Sequence, residues 1–384
     1  MKKIKELIIL YPSFEKGGAT ENLINFTNIC AEKGIKIYLI SNITQRDKIK
    51  FFNRNIKFYN VKSKITIGSL NRLITSINSI VTLFTLLKKI NNKNSLIVSF
   101  QSHILPIIFS KIFKRKIIIR NSEDILDATK YADYKISALF VYLLKIFFYN
   151  FSDGIITNAI KAKNSLDKIL FKNKAKLIYN PYLKNIYKNK NNKRKKIILS
   201  VGRLCKQKNQ VTAIKAFAHF LNKFPDYKLV IIGHGKDEKK LRQLCLNLNI
   251  SKNVIFKGWV FNLKKYYLEA KILIFPSLYE GLPNTLIEAI NYNLPCISSR
   301  CSGAVDILSN RYGIFISNNQ SIQLSNKMVD SILNYKKTLS NTQMIKKKLS
   351  RFLIKPQVLK YISFCNNILD WFSDFFKYVA VVHF

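Results

Sequence analysis

The sequence predicts an α/β chain made of two doubly wound domains. Short apolar runs rich in β-branched residues alternate with longer helical stretches, and after a polar break the same alternation begins again. At 384 residues the chain is long for one domain and comfortable for two. The expected division is a first domain over 1–183, a linker over 184–196 and a second domain over 197–358. The aromatic, apolar tail 359–384 is placed to cross back onto the first domain.

In the first half, Leu7–Leu10, Lys36–Ile40, Leu96–Phe100, Lys116–Ile119 and Gly154–Thr157 read as strands of a parallel sheet buried on both faces, since each is nearly continuous in apolar residues. Ala19–Lys33 and Leu70–Lys89 read as helices between them. Lys184 to Lys196 is rich in Lys and Asn, has no apolar periodicity and reads as a linker. In the second half the strands are Ile197–Val201, Lys228–Ile232, Val254–Lys257, Ile272–Phe275 and Cys296–Ser299. The helices there are Val211–Lys223, Asp237–Leu248 and Pro283–Asn291. Such domains bind ligands at the carboxyl ends of their strands, so a ligand common to both is expected in the cleft between them.

Lys and Arg number 65 against 21 Asp and Glu, a formal net charge of +44. A charge of that size attracts polyanions: nucleic acid, anionic lipid or phosphorylated substrates. Two origins fit it. Lys, Asn and Ile share A/T-rich codons, so a biased genome raises all three; the other origin is a basic membrane-facing surface. Six cysteines without a Cys-x-x-Cys pair or metal spacing read as free thiols in a reducing cytoplasm. The N-terminal Lys-rich start and short apolar run read as a first buried strand and not a signal peptide. No apolar run reaches about 20 residues. The nearest, Ile136 to Phe151, is interrupted by Lys145; it either packs inside, the reading favoured here, or lies flat on a bilayer as an amphipathic helix.

The chemistry concentrates at strand ends. In Phe275–Ala289 a strand gives way to a turn and then a helix with Pro283 at its first position, where a missing N–H costs nothing. The amides of Asn284, Thr285 and Leu286 are therefore expected to point out unpaired and to attract phosphate. Glu280 precedes that terminus and Glu288 lies about two turns in. Two carboxylates flanking free amides suit a ligand with hydroxyls at both ends and phosphate between, as in a nucleotide sugar. Arg203 and Lys208 follow the first strand of the second half and are placed to neutralise a diphosphate. Gly233 opens a Gly-His-Gly turn that is too short for a dinucleotide fingerprint, and His234 reads as structural. In the first half, Gly17 and Gly18 let backbone approach a ligand, or simply make a strand-to-helix turn. His103 follows a strand, where a neutral imidazole can hydrogen-bond a sugar hydroxyl. Arg120, Glu123 and Asp124 follow the next strand, to contact an acceptor or to cap a helix.

Taken together, Gly202-Arg203-Leu204-Cys205-Lys206-Gln207-Lys208-Asn209, the Gly-His-Gly turn and the run from Phe275 to Ile290 resemble the second half of the family 4 retaining glycosyltransferases. The match is strong over about 197–308. It is thinner before that, where Gly17-Gly18, Arg120-Asn121 and Phe151-Ser152-Asp153-Gly154 fit the pattern. The resemblance implies the GT-B fold, two Rossmann-like domains facing a cleft, and the Glu-x7-Glu spacing of Glu280 and Glu288 is the family's acid pair. It implies that Arg203 and Lys208 hold the donor diphosphate, Glu280 the donor sugar and Glu288 the ribose. Asn284, Thr285 and Leu286 would then cradle phosphate, with Gly17 and Gly18 near it; His103 corresponds loosely to the family's first-domain histidine. It implies no cofactor and no metal, in keeping with the lack of an Asp-x-Asp pair. Two departures stand out: Asn293 where the family has Gly, and Asp306 where it has Glu.

The expected activity is transfer of a hexose or N-acetylhexosamine, with retention, from a nucleoside-diphosphate sugar to a lipid-linked or oligosaccharide acceptor in surface-polysaccharide synthesis. The expected location is cytoplasmic, peripheral at the inner face of the membrane, with its anionic surface as a partner. A nucleotide-sugar epimerase or hydrolase on the same scaffold is one rival. A basic nucleic-acid-binding protein is another; the sequence carries no module for it, so no nucleic acid is expected.

Overall fold

A computed structural model describes residues 3–15, 17–61, 68–90, 92, 95–188 and 193–381, with side chains described except at 68–73 and 371–381. The chain separates into two compact units. The first holds residues 1–158, 162–182 and everything from Leu353 onward; the second holds 159–161 and 183–352.

Unit 1 is built from β1 (Glu6–Leu10), α1 (Gly18–Glu32), β2 (Lys36–Ser41), α2 (Gln45–Phe51), β3 (Lys57–Asn60), α3 (Gly68–Lys89), β4 (Leu96–Ser99), α4 (Ile104–Ile112), β5 (Lys116–Asn121), α5 (Ile125–Lys130), α6 (Lys135–Tyr149), β6 (Gly154–Thr157), α7 (Ile160–Asp167) and β7 (Ala175–Leu177). Its sheet runs in the order β3-β2-β1-β4-β5-β6-β7, all parallel. The strand order reverses at β1, which feeds β2 on one side and neighbours β4 on the other. Their side chains are buried on both faces: Leu7, Ile9, Leu96 and Val98 on one, Ile8, Leu10, Ile97 and Ile117 on the other. That is why these strands read as unbroken apolar runs. β3 and β7 were not anticipated. Both are edge strands, short and only partly buried, so they lack the apolar signal of the centre.

Unit 2 continues with β8 (Ile197–Val201), α8 (Gln210–Leu221), β9 (Lys228–Ile232), α9 (Glu238–Asn247), β10 (Val254–Phe256), α10 (Lys264–Glu269), β11 (Ile272–Phe275), α11 (Asn284–Asn291), β12 (Cys296–Ser299), α12 (Ser302–Leu308), β13 (Ile314–Ile316), α13 (Ser321–Leu333) and α14 (Tyr335–Lys346). Its six parallel strands lie in the order β10-β9-β8-β11-β12-β13, with the reversal at β8. The last helix, α15 (Ile354–Val381), packs on α1 and β5 and so returns to unit 1.

The return is anchored by a buried guanidinium. Arg120, 2% exposed, donates from Nε to the Tyr361 hydroxyl of α15 at 3.0 Å, from one terminal nitrogen to Ser122 Oγ at 2.6 Å and from the other to Asn180 Oδ1 at 2.6 Å. Its plane also lies 5.2 Å from the Phe100 ring centroid. Farther along α15, Asn366 Oδ1 accepts from the Ile4 amide at 2.9 Å.

The stretch expected to be a plain linker is only partly one. Residues 189–192 lie outside the described residues, but Arg194 is built into unit 2. One terminal nitrogen donates to the carbonyls of Tyr267 at 2.8 Å and Ala270 at 2.7 Å, the other to those of Tyr292 and Asn293, both at 2.8 Å. These carbonyls close the C-terminal ends of α10 and α11, where backbone acceptors are left over and a cation is favoured. Composition hides this, because one arginine among many lysines carries no periodic signal. Asn293 itself takes φ 54°, the left-handed conformation that a glycine or asparagine tolerates there.

Arg194→Ala removes one donor set from two helix ends at once. The expected loss is roughly 2–4 kcal/mol of unfolding free energy, read from the urea midpoint at constant slope.

Candidate active site

In unit 2 the carboxyl ends of β8, β9 and β11 carry three loops in direct backbone contact. The carbonyl of Gly202, after β8, lies so close to Gly233, after β9, that a Cβ on Gly233 would be 1.8 Å from it. Gly233 also has φ 146°, open to glycine and poorly to other residues. Gly235 meets the Leu204 carbonyl in the same way, at 2.3 Å for an added Cβ. The Leu204 amide donates to the His234 carbonyl at 3.0 Å, locking the two loops. The Gly-His-Gly turn is thus a packing device. His234 is exposed and pairs with Glu238 at 3.3 Å, a structural role as expected.

A third loop, after β11, is laid against the first. The Leu278 amide donates to the Gln207 carbonyl at 2.8 Å, and Gln207 Nε2 to the Tyr279 carbonyl at 3.0 Å. Asn209 Nδ2 donates to the Pro276 carbonyl at 3.2 Å, and Asn318 Nδ2 to the Leu278 carbonyl at 3.1 Å. From the far side, Gly303 of α12 lets the Gly281 carbonyl pass where a Cβ would sit 2.0 Å away. Gln207, Asn209 and Asn318 were missed by sequence reasoning. A left-handed φ of 53° at Asn209, before α8, is the one feature of them with a sequence correlate.

This clamp brings Lys208 and Glu280 together. Lys208 Nζ donates to Glu280 Oε1 at 2.5 Å, with both side chains mostly enclosed, and the ammonium also lies 5.1 Å from the Phe275 ring centroid. Arg203 is exposed beside them and donates from a terminal nitrogen to Gln207 Oε1 at 3.2 Å. Four residues after Glu280, α11 begins, with Pro283 at the cap and Asn284 first in the helix. The amides expected to be free are not all so: Leu286 N donates to the Pro283 carbonyl at 3.1 Å, because the first turn tightens, and its side chain is fully buried. Asn284 and Thr285 stand half-buried at the terminus. Glu288, about one turn further, accepts from the Tyr267 hydroxyl at 2.6 Å. Asp306 Oδ2 accepts from the Ile160 amide at 2.8 Å.

Unit 1 places its residues at the carboxyl ends of β1, β4 and β5. Gly17 caps α1 with φ 155° and open space around its α-carbon, and Gly18 is the first residue of that helix. His103 caps α4. Its Nδ1 is 3.0 Å from Ser99 Oγ, and its ring meets Tyr149 edge-on at 5.9 Å. The residue reaches solvent in part while its ring is enclosed. That burial, then the nearby Lys145 and Arg120 charges, lowers its pKa from the ordinary value to about 3. Arg120 is not available to an acceptor, because its three nitrogens are already held inside the core. Glu123 pairs with Lys145 at 3.3 Å, and Asp124 caps α5 through the Leu126 and Asp127 amides.

The chain is similar to known proteins. Residues 183–349 match the family model described as glycosyl transferases group 1. An uncharacterized glycosyltransferase of Haemophilus influenzae is 29% identical over 87% of this chain and 91% of its own length. Unit 2 thus matches the group 1 glycosyltransferases over nearly its whole length. An α-1,4-N-acetyl-D-galactosaminyltransferase of Campylobacter jejuni, named for a diNAcBac-PP-undecaprenol-linked acceptor, is 31% identical over 55% of this chain and 61% of its own length. An uncharacterized glycosyltransferase of Methanocaldococcus jannaschii is 33% identical, with about half of each chain covered (53% and 54%). Sucrose-phosphate synthase of Thermosynechococcus elongatus superposes with a TM-score of 0.81 at 13% identity, over 95% of this chain and 99% of that one. HepE of Anabaena, crystallised with UDP and glucose, superposes at 0.73 and 17% identity, over 96% and 99%. The fold of the chain is therefore GT-B.

Two outcomes test the geometry. Gly233→Ala should lose roughly 3 kcal/mol or more, because neither backbone can withdraw; thermal unfolding reads it. His103 concerns pH. Its folded pKa of about 3 lies below the ordinary unfolded value of about 6.5, so the unfolded chain binds the extra proton between them. Its contribution is present above about pH 6.5 and is lost as pH falls toward 3. The urea midpoint of the native protein should therefore drop more between pH 7.5 and 5 than that of His103→Asn.

Proposed function

We propose that this glycosyltransferase moves a hexose or N-acetylhexosamine, with retention, from a nucleoside-diphosphate sugar to a lipid-linked or oligosaccharide acceptor in surface-polysaccharide synthesis. The observation that carries the reading is the enclosed Lys208–Glu280 pair at the strand ends of unit 2, four residues before the N-terminus of α11.

In this reading the diphosphate takes the Lys208 ammonium, and Arg203, exposed and loosely held, swings onto the same phosphates. Glu280 then turns its carboxylate to hydroxyls of the donor sugar. The α11 terminus at Asn284 and Thr285 adds the helix dipole to phosphate binding. Glu288, fixed by Tyr267, is oriented for the ribose hydroxyls. As the bond from the anomeric carbon to the phosphate oxygen breaks, negative charge grows on the leaving diphosphate. Cations already in place stabilise that charge without reorganisation, so no metal or other cofactor is called for. The acceptor hydroxyl bonds to the anomeric carbon on the same face, and its proton passes to the departing phosphate oxygen. Gly17 and Gly18 give the backbone of unit 1 room for close approach. His103, neutral throughout the working range, acts by hydrogen bonding and not by charge.

The Campylobacter relative's lipid-linked acceptor supports the acceptor class. Cytoplasmic placement at the inner face of the membrane, with that surface as partner, belongs to the same proposal.

Glu280→Gln keeps the shape and removes the charge, and Lys208→Met removes the cation. Each should lower kcat/KM in a sugar-nucleotide transfer assay roughly 100-fold or more, with an unchanged fold by circular dichroism. Wild-type rates in both variants would place the reaction elsewhere.

A further inference from the structure

The segment favoured to pack inside does not do so. α6 buries only Tyr149 fully, and turns a stripe of large apolar side chains outward from its unit. Ile136 is 88% exposed, Leu139 52%, Phe140 62%, Leu143 55% and Phe147 60%. Their spacing, i, i+3, i+4, i+7 and i+11, sets all five on one helical face. Tyr134 and Phe151, just beyond the two ends of the helix, are exposed as well, and Ile112 and Leu126 lie exposed on the neighbouring helices α4 and α5, which pack against α6. An exposed apolar stripe of this length is unusual on a soluble surface and marks a contact.

We propose that the outer face of α6 is the surface by which this chain lies on an anionic lipid bilayer. Three observations select that occupant. First, the helix is too short to span: 15 residues rise about 22 Å against a hydrocarbon core of about 30 Å. Its amphipathic layout suits the interfacial plane, where aromatic rings are favoured. Second, the surroundings are cationic. α6 holds no carboxylate; Lys135 on it and Lys114 and Lys130 on and beside its flanking helices are exposed, whereas Lys145 and Lys111 are paired with Glu123 and Asp153. Long lysine stems reach lipid phosphates while their apolar carbons rest on the stripe. Third, the other obvious occupant of an apolar face, a second copy of the chain, brings a further formal charge of +44 against the first.

The inference rests on the helix and not on the donor chemistry, so its test uses neither donor nor acceptor. The full chain is sedimented with vesicles of phosphatidylglycerol and phosphatidylethanolamine, and with vesicles of phosphatidylcholine alone. Binding is expected on the first and much weaker on the second. The triple variant Phe140→Ser, Leu143→Ser, Phe147→Ser should lower the partition coefficient roughly tenfold or more with an unchanged thermal transition, because the replaced side chains touch water. Glu280→Gln should bind vesicles as the native chain does, which separates attachment from transfer. Absent binding, or equal binding by the triple variant, overturns the proposal. So does a concentration-dependent dimer in light scattering that the triple variant abolishes while vesicle binding persists.

Discussion

The candidate site depends on backbone passing backbone without side chains between. Where the Gly202 carbonyl approaches Gly233, and the Gly281 carbonyl approaches Gly303, the space that a methyl group would need is already occupied. Bare backbone at these points lets the loops after β8, β9 and β11 close on one another and hydrogen-bond as a block. The block is what makes the Lys208–Glu280 pair possible. An ammonium and a carboxylate this enclosed would each be costly alone, and neither long side chain would hold its place on a free loop. The chemistry is thus set by the most featureless residues in the chain, and the charged ones are carried into register by them.

That arrangement also decides what the pair can do. A surface ion pair is worth little and is easily exchanged with water. An enclosed one keeps its ammonium oriented before a substrate arrives, so a phosphate that displaces the carboxylate meets a charge already in position. Arg203 is the complement: exposed and tied to Gln207, it supplies reach where Lys208 supplies placement.

Much of this was legible in the sequence, for definable reasons. The central strands announced themselves because both of their faces are buried, and the Glu280–Glu288 pair was visible because both residues lie within one strand–turn–helix run, close in sequence. The edge strands β3 and β7 were not, because half-solvated strands look like loops. Arg120 looked like a site residue, since it ends a strand; its partner Tyr361 lies 241 positions away, and no local pattern reveals such a bond. Arg194 was lost in a lysine-rich run for the same reason. The free amide expected at Leu286 failed on a finer point, the tightening of one turn. Ile136 to Phe151 was misjudged because apolar content implies burial in a sum over the sequence, whereas a helix can turn that content outward.

The chain closes unit 1 with its last helix. Ile4 reaches Asn366, and Arg120 reaches Tyr361, so the first compact body is assembled from segments on both sides of unit 2. During synthesis, the β-sheet of that body emerges early but waits for unit 2, residues 183–352, to follow before α15 can cover it. At about 5–20 residues per second the wait is roughly 10–30 s. The second body, contiguous apart from 159–161, has no such delay. The order of synthesis therefore lets unit 2 be complete before unit 1, whose α15 is made after it.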